Sequence, residues 1–184
     1  ATLSVNYLTA YRALTNAVDI KAGDVVVVSG ASGAVGGATL QVARALGART
    51  IALTSSADKA TRALKGGADA AIDLSSEPDV AQRVRDLTAG VGADWAIDPV
   101  GGALTNQLLH ALRPRGTVVS VGFTGGMQPA FDAFEIIAGE KRIVGYSLHR
   151  ERDEDLVAAQ RALVALAGAG RIKTGGDEDS RVYI

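Results

Sequence analysis

The chain has 184 residues, of which 47% are apolar and 4% aromatic, and its formal net charge is -1. This length fits one domain with its own core, and a nearly neutral chain gives no reason to expect a nucleic acid or an anionic membrane as partner. The absence of cysteine excludes disulfides and thiolate metal sites and fits a reducing compartment. No signal pattern or membrane-length apolar run is present, so we expect a cytoplasmic protein.

Strand and helix patterns alternate along the chain. In chain order they predict a helix over 2–17, a strand over 25–28, a helix over 34–46, a strand over 49–54, a helix over 57–65, a strand over 70–74, a helix over 77–89, a strand over 93–98, a helix over 102–112, a strand over 116–121, a short apolar segment over 131–138, a strand over 142–148 and a helix over 153–167. Pro78 is placed in the first turn of the fourth helix, and Pro114 stops the fifth. The alternation predicts an α/β fold with a doubly wound, six-stranded parallel sheet in the order 3-2-1-4-5-6, a Rossmann fold.

A glycine-rich turn joins the valine strand to the helix after it. The turn matches the dinucleotide fingerprint G-x-G-x-x-G, with alanine in the first position, over Ala31, Ser32, Gly33, Ala34, Val35 and Gly36. A helix N-terminus offers unpaired N–H groups, and glycine lets a diphosphate come close to them. The motif predicts a dinucleotide site; the alternative is a turn that only packs strand against helix.

The end of the second strand bears on the choice of dinucleotide. An NAD-type fold usually places Asp or Glu at this tip to hold the ribose hydroxyls. Here the strand runs into Ser55 and Ser56, with Lys59 one turn further on, and no carboxylate stands at the tip. Hydroxyls and a cation suit a 2′-phosphate, so NADP(H) is predicted over NAD(H). A serine that caps the following helix is an overlapping interpretation.

The remaining polar residues give weaker signals. His110 and His149 lie apart in the sequence, and no metal-ligand spacing accompanies them. The nucleophile motif G-x-S-x-G is missing. Trp95 is expected to pack in the sheet, and the charged run over 150–155 is expected to be a solvated face. We therefore predict no metal site and name no catalytic residue.

Several stretches together resemble the cofactor domain of the medium-chain dehydrogenases/reductases, in their zinc-free, quinone oxidoreductase-like branch. These stretches are YLTAYRAL, SGASGAVGGATLQVARALGA, TSSADKA, GADWAIDPVGG and GTVVSVGFTGG, with spacing that agrees with the family. The resemblance implies NADPH-dependent reduction of a quinone, enone or similar activated double bond in a small molecule. It also implies a homodimer formed through the edge of the sixth strand.

The resemblance assigns roles to particular residues. Thr9 would approach the nicotinamide, Gly33, Ala34 and Val35 would hold the diphosphate, and Ser55 and Lys59 would meet the 2′-phosphate. The nicotinamide riboside would be lined by Val100, Gly122, Phe123, Ser147 and Leu148. Residues 1–172 would form the Rossmann domain and 173–184 a polar tail, with the family's N-terminal catalytic domain absent from this chain.

Two other functions are compatible with the glycine turn. One is a dinucleotide-binding module without catalysis of its own. The other is an extended short-chain-type reductase, which needs a tyrosine followed four residues later by lysine. That spacing is missing after Tyr7, Tyr11 and Tyr146.

Overall fold

The computed structural model describes residues 5–173. Its elements are α1 (Val5–Arg12), a π-helical turn (Ala13–Ala17), β1 (Val25–Val28), α2 (Ala34–Ala45), β2 (Arg49–Thr54), α3 (Ala57–Lys65), β3 (Ala70–Asp73), α4 (Val80–Leu87), β4 (Ala93–Asp98), α5 (Ala103–Ala111), β5 (Leu112–Ser120), α6 (Ala133–Ala138), β6 (Arg142–Gly145), a 3₁₀ turn (Leu148–Arg150) and α7 (Asp153–Gly168). The six strands form one parallel sheet in the order β3-β2-β1-β4-β5-β6, which confirms the predicted fold class and strand order.

The valine run of β1 packs against helices on both faces of the sheet. Successive side chains of a strand point to opposite faces, so a strand buried on both faces must be apolar throughout. Val26 and Val28 pack in the core shared with α1, α2 and α7, whereas Val27 packs in the core shared with α4 and α5. Burying the central strand on both sides fixes its carboxyl end, where the glycine turn begins.

Two predicted helices differ from the structure, each for a local reason. The first helix widens into the π-helical turn after Arg12, where Val18 donates its N–H to the carbonyl of Ala13. The fourth helix begins at Val80, because the Asp79 side chain accepts from the N–H of Gln82 at 2.8 Å and caps it. Pro78 therefore precedes the helix and is not in its first turn.

The strand boundaries differ most around β5 and β6. β5 begins at Leu112, earlier than predicted, and its pairing with β4 jumps from Leu112 to Thr117. Pro114 lies in the intervening bulge, where a missing N–H costs no ladder bond. β6 ends at Gly145, so the predicted strand over 142–148 is too long, and its last part becomes the 3₁₀ turn.

Two predicted segments, the polar tail and the first helix, lie partly outside the described residues. Residues 174–184, most of the predicted polar tail, lie outside the described residues, as do residues 2–4 of the first helix. Over residues 5–173, no helix is both long and apolar enough to cross a membrane.

Candidate dinucleotide site

The glycine turn after β1 leaves the N-terminus of α2 open. Gly30 adopts a left-handed backbone with φ of 53°, and the N–H of Gly33 donates to the carbonyl of Gly30 at 2.8 Å. Ser32, Gly33 and Ala34 are exposed. Gly33 precedes the helix and supplies no side-chain cap.

The first amides of α2 are consequently uncapped. Within the described part of the chain, the N–H groups of Ala34, Val35 and Gly36 donate to no protein acceptor, and the helical bonding across the turn begins with Gly37, which donates to Gly33 at 2.8 Å. Unpaired amides at the positive end of a helix dipole attract an anion. The turn therefore has the geometry expected for a diphosphate site.

Gly36 has a packing function in the same turn. A Cβ atom built on it would lie 2.3 Å from the carbonyl oxygen of Gly30 and 2.8 Å from the Cα of Ala31. No side chain fits there without a backbone shift. The last glycine of the fingerprint thus lets the helix approach the strand, which is the packing role considered as the alternative to a dinucleotide site. The unpaired amides at the start of α2 are compatible with both roles.

The residues predicted for the 2′-phosphate lie together at the tip of β2. The Nζ atom of Lys59 donates to Oγ of Ser55 at 2.8 Å, and Oγ of Ser56 accepts from the N–H of Lys59 at 3.4 Å. Ser56 is therefore the N-cap of α3, while the exposed Ser55 and the half-buried Lys59 form a hydroxyl–ammonium pair. Asp73 ends the neighbouring strand, but its carboxylate accepts from the N–H and Oγ of Ser75 at 2.9 and 2.7 Å.

A buried aspartate that the sequence analysis did not identify organises the end of β4. Asp98 is fully buried and accepts from Oγ of Ser29 at 2.5 Å and from Oγ1 of Thr105 at 2.7 Å. It also accepts from the N–H groups of Val100 and Gly101, both at 3.0 Å. These four donors tie the turn after β4 to β1 and α5. An aspartate at a strand end before Pro and Gly is the signal that could have revealed it.

The turns after β4 and β5 interlock through glycines. Gly101 and Gly126 form an isolated parallel bridge, and the N–H of Gly125 donates to the carbonyl of Val100 at 2.6 Å. A Cβ on Gly122 would lie 2.6 Å from the carbonyl oxygen of Pro99. Of the predicted riboside residues, Val100 and Gly122 are thus brought together. The exposed Phe123 follows directly.

A cleft of about 850 Å³ opens at the carboxyl ends of β5 and β6. Of the predicted residues, Gly122, Phe123 and Ser147 line it. Leu148 and Val100 are half-buried and do not line it. Thr9 is on α1, one helical turn before Arg12, which does line the cleft. The phosphate turn and the Ser55–Lys59 pair lie outside the cleft.

The cleft wall contains a nearly buried ion pair that the sequence analysis placed in a solvated face. Glu151 accepts from Arg12 at 2.7 Å and from Nδ2 of Asn16 at 2.9 Å, and its side chain is only 5% exposed. The expectation of solvation is wrong for this residue because Arg12, at the end of α1, and Asn16, in the π-helical turn, both donate to its carboxylate. The hydrogen bond from Arg12 lowers the pKa of Glu151.

Tyr146 lies beside this pair. Its hydroxyl is buried and has no hydrogen-bond partner among the described residues, and the same holds for Nε of Arg12. Burial raises the pKa of Tyr146, and the negative charge of Glu151 raises it further. The phenol therefore stays protonated at neutral pH.

Neither histidine lines this cleft. His110 is 3.6 Å from carboxylate oxygens of Asp132 and Glu135, and His149 is exposed. Over residues 5–173, no group of three or more His, Cys, Asp or Glu side chains is arranged to hold a metal ion.

Fold and site together define a Rossmann-type dinucleotide-binding domain, with its open helix N-terminus at the point where the strand order reverses. The model of the zinc-binding dehydrogenase family matches residues 34–165. The chain belongs to this family, in the quinone oxidoreductase-like branch of the medium-chain dehydrogenases/reductases.

Relatives with known names or structures support this placement. A probable quinone oxidoreductase of Schizosaccharomyces pombe is 41% identical over 70% of this chain and 37% of its own length. A 2-haloacrylate reductase of Burkholderia is 35% identical over 69% of this chain and 38% of its own. The structure of Escherichia coli quinone oxidoreductase complexed with NADPH aligns at TM-score 0.86 and 30% identity, over 96% of this chain and 55% of that one. The chain thus spans about half or less of the proteins it matches.

Proposed function

We propose that this domain binds NADP(H) across the carboxyl ends of β1, β2, β4, β5 and β6. The observation that carries the proposal is the uncapped start of α2, where the N–H groups of Ala34, Val35 and Gly36 have no protein acceptor among the described residues and the turn before them, at Ser32 and Gly33, is exposed. A diphosphate satisfies those donors without side-chain help. The NADPH complex of the Escherichia coli relative supports the same cofactor.

The preference for the phosphorylated cofactor rests on β2. Lys59 already donates to Ser55, so an ammonium and a hydroxyl are held side by side. A 2′-phosphate placed there would accept hydrogen bonds from both groups, whereas an uncharged 2′-hydroxyl would bind them more weakly. Asp73, the nearest carboxylate at a strand end, is occupied by Ser75.

We infer that the nicotinamide end lies toward the cleft, near Val100, Gly122, Phe123, Ser147 and Leu148, with Thr9 approaching it from α1. Asp98 holds the turn before Val100 in place, and the glycine bridge ties that turn to the one after β5. The bound cofactor would supply a hydride, and this chain would orient it and bury one side of the reacting centre.

The full-length protein is then an oxidoreductase that reduces a quinone, enone or similar activated double bond. The names of the relatives, two of them quinone oxidoreductases and one a 2-haloacrylate reductase, support this substrate class. The chain spans about half of such proteins, so the activity is proposed for the whole enzyme. An isolated binding module is the alternative for the chain alone.

We also propose that this domain works without zinc, in the cytoplasm and as a homodimer. Its described residues offer no cluster of metal ligands. The chain has no cysteine, which fits a reducing compartment. Dimerisation would use the open edge of β6, the last strand of the sheet.

The experiment that tests the cofactor site compares NADPH with NADH. Lys59→Ala should weaken NADPH binding about tenfold, because it removes one charged hydrogen bond to the 2′-phosphate, and should leave NADH nearly unchanged. Affinities are measured by titrating the chain and following nicotinamide fluorescence.

Lys65→Ala is the matched control, since it removes the same charge from the last turn of the same helix. It should change neither affinity by more than about twofold at physiological salt. If Lys59→Ala weakened the binding of NADPH and of NADH equally, the proposed contact between Lys59 and the 2′-phosphate would be excluded. If the wild-type protein bound neither cofactor, the proposed dinucleotide site would be excluded.

A further inference from the structure

One charged side chain of the cleft has no oppositely charged partner among the described residues. Five ionised side chains line it: Arg12, Arg150, Glu151, Arg152 and Asp155. Arg12 pairs with Glu151 at 2.7 Å, and Arg152 pairs with Asp155 at 2.9 Å and also with Glu154. Across residues 5–173, Arg150 makes no ion pair. Among the five lining side chains the positive charges exceed the negative charges by one. Glu154, which pairs with Arg152 from outside the lining, brings the local sum to zero, but Arg150 itself stays without an ion-pair partner among the described residues.

The backbone that carries this arginine is fixed. The N–H of Arg150 donates to the carbonyl of Ser147 at 3.1 Å, and the N–H of Glu151 donates to Leu148 at 3.1 Å, which closes the 3₁₀ turn. The side chain of Glu151 is then anchored to α1 by Arg12 and to the π-helical turn by Asn16. The Arg150 side chain thus starts from a defined point beside Ser147, one of the residues proposed to line the nicotinamide.

Another part of the same lining is apolar and open. Phe123, Met127 and Phe131 are 63%, 76% and 42% exposed, and Pro129 lies between the last two in sequence. Apolar surface gathered in a concave site beside a few polar groups is typical of a small-molecule pocket. The cleft thus joins an apolar surface and a single unpaired guanidinium in one cavity.

We propose that the acceptor reduced by this protein carries a carboxylate, and that Arg150 binds it while the apolar lining holds the unsaturated body. This inference rests on the proposed function, which puts the acceptor in the cleft. A planar guanidinium matches a carboxylate with two parallel hydrogen bonds, which gives both orientation and selectivity. Arg150 is then a specificity-determining residue of the acceptor subsite.

The test uses two unreactive probes of the same shape, benzoate and benzamide, of which only benzoate is charged. Their affinities are measured by ligand-observed NMR titration of the chain, with and without NADPH. Benzoate should bind more tightly than benzamide, and its binding should weaken with added salt. Arg150→Gln should weaken benzoate binding about fivefold to tenfold and leave benzamide unchanged.

Arg161→Gln is the matched control, because it removes an exposed arginine of α7 that does not line the cleft. Benzoate and benzamide binding equally to wild-type protein, or Arg161→Gln acting as strongly as Arg150→Gln, would overturn the carboxylate subsite. So would an equal loss of NADPH affinity in Arg150→Gln, which would assign the arginine to the cofactor. If NADPH fails to bind while benzoate still distinguishes the variants, the cofactor proposal falls and the anion site stands.

Discussion

Two adjacent glycines of α2 have opposite tolerance for a side chain. A Cβ on Gly36 would lie 2.3 Å from the carbonyl oxygen of Gly30, whereas a Cβ on Gly37 would meet nothing closer than 3.7 Å. Gly36→Ala should lower the free energy of unfolding by about 1–3 kcal/mol, because backbone must move to admit the methyl group. Gly37→Ala should raise it by about 0.5–1 kcal/mol, since alanine favours the helix. Urea unfolding measures both, and equal effects in the two variants would contradict the close approach of helix and strand.

At the scale of elements, the Arg12–Glu151 pair joins α1 to the segment between β6 and α7. Glu151→Gln should lower the free energy of unfolding by about 1.5–3 kcal/mol at pH 7, because a neutral amide with one acceptor oxygen replaces the nearly buried carboxylate to which Arg12 and Asn16 donate. Arg12 lowers the pKa of Glu151 in the folded protein, so the folded state binds fewer protons than the unfolded state. The stabilisation is present above the ordinary carboxyl pKa of about 4.3 and is lost as the pH falls through the folded value. Denaturant unfolding of both proteins at several pH values should show their difference shrinking toward acid.

Glu154→Gln is the control for this prediction. Glu154 also pairs with an arginine, Arg152, at 2.6 Å, but both side chains are about 70% exposed. An exposed pair contributes roughly 0–1 kcal/mol, so this variant should stay close to wild type at every pH. A Glu151→Gln difference that is small at pH 7, or that does not change with pH, would mean that the pair does not hold the two elements together.

For the whole molecule, the sequence predicts the sheet better than the cleft. Periodicity and glycine spacing are local, so β2 and β4 have the predicted bounds and the strand order follows from the crossovers. The glycine turn and the Ser55–Lys59 pair are also local, since each lies within a few residues.

The cleft depends on contacts that are distant in sequence. Glu151 is bound by residues about 140 positions away, and within its charged run it resembles its solvated neighbours. Asp98 likewise receives a hydroxyl from Ser29, 69 positions away. Tertiary contacts of this kind decide which charges are buried, and no local pattern encodes them.

The free edge of β6 allows a last prediction about assembly. The N–H of Tyr146 donates to Ser120 of β5, so by the alternation of a strand the N–H of Gly145 points away from the sheet. An unpaired edge is a template for a second strand, and a two-fold axis there would pair β6 with its copy. Gly145→Pro should remove one donor of that pairing without breaking the ladder to β5, and should shift a dimer toward monomer.

Sedimentation velocity over a range of concentrations measures this shift. Gly145→Ala is the control, because a Cβ at this position meets nothing within 4 Å and the N–H is kept. The alanine variant should sediment like wild type, and circular dichroism should show the proline variant folded. A wild-type chain that is monomeric at all concentrations would exclude pairing through β6, as would a proline variant that dimerises as tightly as wild type.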